Sequence, residues 1–417
     1  MSVPKSSGLS KLKKKHFRVK HQKVKLFRAN EPLLSVLMWG INHTINELSY
    51  VSIPVMLLPD DFRAYSKIKV DNHLFNKENM PSHFKVKEYC PLVFRNLRER
   101  FGVDDMDFKE SMTRSQPISM DSSGKSGAKF YQSYDKMFII KSLTSEEVER
   151  MHSFLKHYHP YIVERHGKTL LPQYLAMYRL TVENVEHYYV AMRNVFSSHL
   201  NIHRKFDLKG STVDRDASDK ELGKHLPTLK DNDFIKQAVK ITIGENAKEQ
   251  LVKSLNADVD FLTKLHLMDY SLLLGIHDCA KAEQDRIEAR ELKNAEQKTD
   301  ESEQVESEES ETERWTYNTP PDSPHLLRES SVQYDGIIPD QDIYAIPSCE
   351  GMEQGEGTCK EIYFIAIIDV LTQYGVKKQA AKAAKTVKYG SNVDGISTCD
   401  PEQYGRRFIE FLTKAIE

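Results

Sequence analysis

The chain has 417 residues, of which 39% are hydrophobic and 29% charged, and its formal net charge at pH 7 is -2. The length allows one large domain or two ordinary ones, and a charge this close to zero gives no reason to expect a nucleic-acid partner. Five scattered cysteines without metal-ligand spacing indicate reduced thiols, and the lack of any run of about 18 apolar residues argues against a membrane span.

The first 30 residues form a basic arm, because ten lysines and arginines precede Glu31 and no acid does. No apolar stretch follows the first lysines, which predicts no signal peptide. The arm is either a solvated, disordered tail or a segment that faces an anionic membrane, where each basic residue contributes about 1 kcal/mol. We expect a cytoplasmic protein, peripheral on the plasma membrane or on endomembranes, with the nucleus left open.

Between residues 31 and 280, helical periodicity alternates with strand-like segments. Pro32 suits the first turn of a helix over 34–48, and Ser145 begins a second helix with acids in its first turn. A third amphipathic helix covers 251–265. Strands are predicted at 65–75, 138–140, 176–180 and 187–192, and directly after Met268.

The composition changes between residues 280 and 357, where Glu and Ser dominate, followed by Pro and Ser without an apolar period. Such a segment buries too little apolar surface to offset its ordering entropy, so we expect a disordered acidic insert over 280–357. A buried strand is predicted over 362–368, and an amphipathic helix from Tyr404 to the C-terminal end. The whole pattern is that of an α+β protein with a sheet-rich first half.

Phosphoryl transfer requires donors around the phosphates, a lysine on them, carboxylates for Mg²⁺ and a base near the acceptor hydroxyl. Gly124-Lys-Ser-Gly127 can bring backbone amides to phosphate oxygens, although such a turn is also common in ordinary hairpins. Lys141 ends the strand over 138–140, where a lysine is usually a solvated strand end. The turn, the short connection and the lysine together predict the phosphate-binding part of a kinase N-lobe.

Two aspartates are candidates for the carboxylates. Asp269 follows a helix directly, and it either serves the chemistry or simply turns the chain. Asp369 ends the apolar strand over 362–368, where a carboxylate needs a nearby cation or hydrogen-bond donors, and Mg²⁺ would supply that need. The loop over 203–211 is either an exposed basic loop or a phosphate site. No HExxH, GxSxG or GxGxxG pattern occurs, which excludes the zinc-protease, hydrolase and Rossmann interpretations.

Three segments resemble the signature motifs of the phosphatidylinositol phosphate kinases: Phe206-Asp-Leu-Lys-Gly-Ser211, Met268-Asp-Tyr-Ser-Leu-Leu273 and Ile367-Ile-Asp369. The resemblance extends from residue 13 to residue 411. Within the family, the segments 67–79, 96–102 and 384–388 resemble the type II subfamily, the phosphatidylinositol-5-phosphate 4-kinases, more than the 5-kinases.

This resemblance implies a two-lobed fold that is distantly like a protein kinase. The basic arm over 1–30 would precede an N-lobe over 31–192, with an antiparallel sheet, a dimerisation helix and strand, and the Gly-rich loop. A smaller C-lobe over 193–417, interrupted by the insert, would carry the catalytic and specificity loops. The family also implies a homodimer formed through the N-lobe and a flat basic face toward an anionic membrane surface.

The resemblance implies catalytic roles for Lys141, Asp269 and Asp369, with Asp369 as the metal ligand. The resemblance also implies ATP as the phosphate donor and Mg²⁺ as the metal. Whether GTP is used as well is left open, because Met192 stands where several type II members have threonine. Nucleotide contacts are implied for Gly124, Gly127, Lys141, Arg193, Asn194, Val195, Phe196, Lys205 and Asp369. Contacts with the lipid substrate are implied for Lys209, Ala381, Lys382 and Lys385.

The implied reaction transfers the γ-phosphate of ATP to the 4-hydroxyl of phosphatidylinositol 5-phosphate. One alternative is a phosphatidylinositol-4-phosphate 5-kinase, against which Ala381 argues, since the 5-kinases carry glutamate at that position. The other is a weakly active, membrane-bound scaffold that binds other phosphoinositide kinases through the segment 55–61.

Protein kinases have asparagine where this chain has Leu274, which puts a second Mg²⁺ in doubt. Glu147 and Glu149 are both open as ion-pair partners of Lys141.

Overall fold

The computed structural model describes residues 27–71, 80–120, 127–300, 336–348, 359–375 and 400–417. The helices of this part are α1 (Pro32–Ser49), α2 (Pro91–Arg100), α3 (Asp105–Thr113), α4 (Ser145–Glu164), α5 (Asp219–Leu222), α6 (Asp231–Lys236), α7 (Glu245–Lys264), α8 (Cys279–Asp300) and α9 (Pro401–Ala415). Its strands are β1 (Tyr65–Val70), β2 (Phe84–Tyr89), β3 (Ile118–Met120), β4 (Phe130–Gln132), β5 (Phe138–Leu143), β6 (Tyr174–Val182), β7 (Val185–Arg193), β8 (Arg204–Leu208), β9 (Thr228–Leu229), β10 (Ser271–Asp278), β11 (Ala345–Pro347) and β12 (Glu361–Ile368). None of the described helices combines the length and the apolar character needed to cross a bilayer.

The first seven strands form an antiparallel sheet in the order β1-β2-β6-β7-β5-β4-β3, which leaves β1 and β3 at its edges. Helix α1 packs on this sheet through a buried stripe at three- and four-residue spacing, and Pro32 occupies its first turn as predicted. The absence of a side chain at Gly40 allows α1 to approach β2 closely, because a Cβ there would lie 2.9 Å from Cγ1 of Val86 in β2. The predicted strand over 65–75 is confirmed as β1 up to Val70, and residues 72–79 lie outside the described part.

The last five strands form a second sheet in the order β11-β12-β10-β8-β9. All its pairings are antiparallel except the short pairing of β8 with β9. Strand β12 is buried from Ile362 to Ile367, as expected for a continuous apolar run in a sheet interior. One hydrophobic cluster continues from the first sheet into the second. The predicted two-lobed α+β fold with an antiparallel N-lobe sheet is therefore confirmed.

The prediction of a disordered insert over 280–357 is wrong at both of its ends. Helix α8 runs through Cys279–Asp300, and Ala345–Pro347 pairs with β12 as β11. The first end is rich in Ala, Glu, Lys, Gln and Arg, whose helix propensity needs no apolar stripe. The second end is stabilised by joining an existing sheet, and the Tyr344 hydroxyl beside it is buried and donates a hydrogen bond to Leu171 O at 3.0 Å. Residues 301–335 and 349–358 lie outside the described part.

The core of the N-lobe contains the carboxyl group of Glu88. Glu88 of β2 is 1% exposed and opposes Tyr178 of β6, and its Oε1 has no hydrogen-bond partner among the described residues. The neighbouring buried Arg98 donates from Nε to Asp105 Oδ1 at 2.7 Å and from Nη1 to Leu175 O at 2.7 Å. Burial raises the pKa of Glu88 to about 7, although the charge of Arg98 acts in the opposite direction.

Replacing Glu88 by Gln should stabilise the fold more at pH 8 than at pH 5. The folded chain retains the Glu88 proton up to about pH 7, whereas an unfolded chain releases it near pH 4.3. Stability is therefore lost as the pH rises through that interval and stays lost above it, and glutamine has no proton to lose. We expect the free energy of unfolding to rise on the order of 3 kcal/mol at pH 8 and much less at pH 5. The measurement is the Tm of variant and parent, which should differ more at pH 8 than at pH 5.

The matched control is Glu249→Gln, an exposed glutamate on α7. It should leave the Tm nearly unchanged at both pH values, because substitutions at exposed positions usually change stability by less than about 0.5 kcal/mol. A gain for Glu88→Gln that is the same at pH 5 and pH 8 would show that this carboxyl is not held protonated in the fold.

Candidate active site

Lys141 and Asp369 are 228 residues apart in sequence and form an ion pair between the two sheets. Lys141 Nζ lies 2.8 Å from Asp369 Oδ1, and the two side chains are 16% and 54% exposed. In the first sheet Lys141 is paired with Phe130 of β4, and its Nζ is 5.7 Å from the centre of the Phe130 ring. An ammonium group has three N–H donors, so this lysine can bind further oxygen atoms beside the carboxylate. The pair brings together one predicted catalytic residue from each lobe.

The pairing of β10 with β12 brings Asp269 to the same end of the second sheet as Asp369. Ser271 is paired with Ile368 as the last pair of this ladder; Asp269 precedes Ser271 by two residues, and Asp369 follows Ile368 directly. Both aspartates have left-handed backbone, with φ of 62° at Asp269 and 60° at Asp369. Such a conformation costs roughly 1 to 3 kcal/mol outside glycine, and it concentrates at functional sites. Two strained carboxylates at one sheet end are suited to bind a metal ion and to accept a proton.

Asp369 has the donor chemistry that a magnesium ion needs. Among the residues that the structure describes, no group of three or more His, Cys, Asp or Glu side chains could hold a metal by itself. Magnesium is usually held by one or two carboxylates, with substrate phosphates and water supplying the other oxygens. The half-exposed carboxylate of Asp369 fits this mode, and its role as the metal ligand stays a prediction.

A buried carboxylate that sequence reasoning missed lies behind the site. Asp258 of α7 is fully buried and accepts three hydrogen bonds. Its Oδ1 accepts from the hydroxyls of Tyr161 at 2.6 Å and Thr169 at 2.8 Å, and its Oδ2 accepts from Leu170 N at 2.6 Å. Burial raises the pKa of Asp258, while these hydrogen bonds and the charge of Arg165 act to lower it. The carboxylate thus ties α7 to α4 and to the segment that follows α4.

The same segment supports the strand that carries Asp369. Leu170 O accepts a hydrogen bond from Ile367 N at 2.7 Å, two residues before Asp369. The sequence did contain a signal for Asp258, because it falls on the apolar stripe of α7 between Leu255 and Leu262. A charged residue on a buried stripe needs partners, but the sequence alone does not say which groups supply them.

Of the predicted phosphate-binding turn, only its second glycine belongs to the described residues. Gly127 has φ of 67°, a left-handed conformation that favours glycine, and β4 begins three residues later. Lys129 N donates to Ser142 Oγ at 2.8 Å, which holds the start of β4 beside the end of β5. Gly124 lies outside the described residues, and the role of this turn stays a prediction.

The predicted nucleotide-binding connection follows β7 directly. The guanidinium of Arg193 is buried and donates from Nε to Gln173 Oε1 and from Nη2 to Phe101 O, both at 2.9 Å. Asn194 N donates to Met137 O at 2.9 Å, and Asn194 Nδ2 donates to Lys136 O at 2.8 Å. The side chains of Arg193 and Asn194 therefore brace the connection. Contact with a nucleotide at 193–195 would have to come from other atoms of these residues.

The Gly-Ser turn after β8 folds around buried acids. Asp231 Oδ1 accepts hydrogen bonds from the backbone of Lys209 at 2.9 Å and Gly210 at 2.8 Å. Asp231 Oδ2 accepts from Arg215 Nε at 2.6 Å, and Arg215 also pairs with Asp207 at 2.8 Å. Asp231, which holds this turn, was not recognised from sequence because it lies outside the motif. The predicted contact of Lys209 with the lipid stays a prediction.

The remaining predicted residues are separated from Lys141 or lie outside the described part. Glu147 is engaged in a capping box with Thr144, which is the cap of α4 in front of Ser145. Within the described ranges, neither Glu147 nor Glu149 forms an ion pair with Lys141, whose acidic partner is Asp369. The predicted substrate residues Ala381, Lys382 and Lys385 fall in 376–399, outside the described part.

Comparison with known proteins gives one consistent result. The family model described as phosphatidylinositol-4-phosphate 5-kinase matches residues 111–415. The chain is 58% identical to phosphatidylinositol 5-phosphate 4-kinase type-2 alpha of Gallus gallus, over 98% of this chain and 96% of that protein. It is 57% identical to the type-2 alpha protein of Homo sapiens, over 99% of each. It is 56% identical to the type-2 beta protein of Homo sapiens, over 97% of this chain and 94% of that protein.

The Asp258 network predicts a large stability difference between two substitutions on the same helix. Asp258→Ala leaves three partly buried donors without their acceptor and should lower the free energy of unfolding by roughly 3 to 5 kcal/mol. Asp258→Asn retains one acceptor oxygen and should cost less. The control Asp260→Ala, at an exposed position of α7, should change stability by less than about 0.5 kcal/mol. Denaturant unfolding measures all three, and equal losses for Asp258→Ala and Asp260→Ala would refute the network.

Proposed function

The chain belongs to the phosphatidylinositol phosphate kinase family, and we propose that it phosphorylates phosphatidylinositol 5-phosphate on the 4-hydroxyl with ATP, giving phosphatidylinositol 4,5-bisphosphate. The observation that carries this proposal is the Lys141–Asp369 ion pair with Asp269 at the same sheet end. The matching family model is described by 5-kinase activity, whereas the three relatives named above are all described as 5-phosphate 4-kinases. The 4-kinase activity is therefore favoured over the 5-kinase alternative.

The proposed mechanism assigns one task to each residue of the site. The lipid 4-hydroxyl oxygen attacks the γ-phosphorus, and the bond from that phosphorus to the bridging oxygen of ADP breaks. Asp269 orients the hydroxyl and accepts its proton, and Lys141 donates hydrogen bonds to the phosphate oxygens. Asp369 would hold Mg²⁺, which supplies neutralisation of the phosphate charge. Before substrate binds, the Lys141–Asp369 pair keeps both charged groups oriented toward each other.

We also propose ATP as the phosphate donor. GTP is the alternative donor, because Met192 alone does not determine which of the two nucleotides is used. Met192 of β7 is paired with Ile139 of β5 and Tyr174 of β6, immediately before the connection at 193–196. A residue at this place borders the proposed base site, so the side chain is placed to influence which purine is accepted. A competition between ATP and GTP in the turnover assay separates the two donors.

We further propose that the protein works as a homodimer on the cytoplasmic surface of membranes. Strand β1 is at the edge of the first sheet, with side chains that alternate between exposed and half-buried. Its outer N–H and C=O groups can pair with the same strand of a second copy, which gives a symmetric contact. The exposed side chains of Val55 and Met56 support the proposed contact of the segment 55–61 with other phosphoinositide kinases.

The first activity prediction tests the two aspartates. Asp369→Asn and Asp269→Asn should each lower kcat at least about 100-fold, because asparagine can neither balance a metal charge nor accept the hydroxyl proton. The Tm should stay nearly unchanged, since asparagine tolerates the left-handed backbone as well as aspartate does. The assay uses labelled ATP with each phosphatidylinositol monophosphate in vesicles, and Asp260→Asn serves as the control.

The same assay decides among the proposed activities. Turnover confined to the 5-phosphate lipid supports the 4-kinase, and preference for the 4-phosphate lipid supports the 5-kinase. No turnover by the parent chain on any of the lipids would leave the scaffold function. Activity within a few-fold of the parent in either aspartate variant would remove that aspartate from the mechanism.

The second activity prediction concerns the choice of lipid. Ala381→Glu should shift the ratio of kcat/KM values toward phosphatidylinositol 4-phosphate, because a carboxylate in this lysine-rich segment of the sequence repels one arrangement of headgroup phosphates. Ala381→Gln is the control of similar size without the charge and should shift the ratio much less. The nucleotide KM should stay unchanged in both variants. An unchanged lipid ratio in Ala381→Glu would show that this position does not select the lipid.

A further inference from the structure

Gly275 lies in the middle of β10, where glycine is unfavourable because it contributes no packing and has high entropy in the unfolded chain. Its φ is not positive, so an alanine could adopt the same backbone conformation. The constraint is space. A Cβ at this position would lie 2.5 Å from Cε1 and 2.9 Å from Cδ1 of Phe196. The Phe196 ring therefore occupies the side-chain volume that Gly275 leaves open.

The Phe196 ring is held on several sides. Its edge-to-face partner is Phe364, with ring centres 6.4 Å apart and an interplanar angle of 89°. Phe364 is the β12 residue paired with Gly275, so the two aromatic rings and the glycine share one face of the sheet. The Cβ position of Gly275 is also 3.3 Å from Cδ1 of Ile202. Phe196 N donates to Asn194 Oδ1 at 3.2 Å, which fixes the backbone before the ring.

Lys205 lies on the other side of Gly275. It is the β8 residue paired with Gly275, so its side chain leaves the sheet on the face that carries the Phe196 ring. Lys205 is half-buried, and burial lowers its pKa while the charge of Glu221 acts to raise it. An aromatic ring and an ammonium group therefore flank the glycine on neighbouring strands. This combination suits a purine ring that carries phosphates, since the ring can stack and the ammonium can pair with oxygen.

We propose that Gly275 is a positioning residue for the nucleotide, because its missing side chain lets the Phe196 ring lie against β10, on the sheet face that also carries Lys205. The inference rests on the proposed function in one respect, the nucleotide substrate. An added Cβ at less than 3 Å forces the ring away from β10. Phe364 contacts the ring and Ile202 lies beside the same Cβ position, so a displaced ring would no longer present the same surface to the base.

The test compares Gly275→Ala in two backgrounds. In the parent chain, Gly275→Ala should raise the KM for ATP about tenfold, while the KM for lipid and kcat at saturating ATP stay within about twofold. In a Phe196→Leu background, the smaller side chain leaves room for the methyl group, and the same substitution should raise the KM for ATP less than about twofold. Phe364→Leu, which removes the ring's edge-to-face partner without adding an atom, should raise the KM for ATP by a smaller factor than Gly275→Ala.

A structural control separates positioning from general destabilisation. Gly40→Ala creates a similar overlap, with a Cβ 2.9 Å from Val86, but in α1 away from the proposed nucleotide site. It should lower the Tm and leave the KM for ATP unchanged. Equal effects of Gly275→Ala in the parent chain and in the Phe196→Leu background, or an equal rise in the KM for ATP in Gly40→Ala, would overturn the proposal.

A binding measurement without lipid distinguishes this inference from the proposed function. A fluorescent ATP analogue should bind the parent chain about tenfold more tightly than Gly275→Ala. If the parent binds the analogue but phosphorylates another lipid, the lipid assignment fails and the role of Gly275 stands. If parent and Gly275→Ala bind the analogue equally, the role of Gly275 fails and the proposed function stands. A parent chain that binds no nucleotide overturns both.

Discussion

The register of β10 against β12 is the constraint on which the candidate site depends. Eight residue pairs determine which side chains of the two strands lie opposite each other, from Ser271–Ile368 at one end to Asp278–Glu361 at the other. The two strained aspartates lie just beyond one end of the ladder, and its middle places Gly275 beside Phe364. Because side chains alternate between faces, a slip of one residue would move each of these groups to the opposite face. Such a slip would also place a residue other than Gly275 opposite Phe364.

The two lobes are joined by hydrogen bonds that converge on a short segment after α4. Residues 169–172 receive hydrogen bonds from α4, from β12 and from Tyr344 in front of β11, and donate others to Asp258 of α7. The bonds to Pro172 O and Leu171 O are buried and the others partly buried, so breaking one of them leaves an unpaired polar group shielded from much of the solvent. The join therefore gives the two sheets a defined relative position, which the Lys141–Asp369 distance requires.

Charge is distributed differently in the supporting shell and in the site. Around the Gly-Ser turn, Arg215 is matched by Asp207 and Asp231 and serves to hold backbone in place. The guanidinium of Arg193 likewise donates its hydrogen bonds to acceptors within the fold. Lys141 and Asp369 instead keep part of their hydrogen-bonding capacity and stand where substrate oxygens and a metal can approach. Charged groups that are fully paired within the fold thus hold the backbone in place, whereas Lys141 and Asp369 retain hydrogen-bonding capacity for substrate and metal.

The sequence by itself determined the periodic helices and strands, and it predicted Lys141, Asp269 and Asp369 as site residues, because periodicity and residue type are local properties. It did not reveal Asp258, whose partners Thr169 and Leu170 are 89 and 88 residues away. Nor did it reveal that Arg193 is a brace, that Gly275 accommodates Phe196, or that the predicted insert has a helix and a strand at its ends. Only the tertiary structure decided these, since each depends on which distant groups occupy the same few ångströms and not on any local pattern.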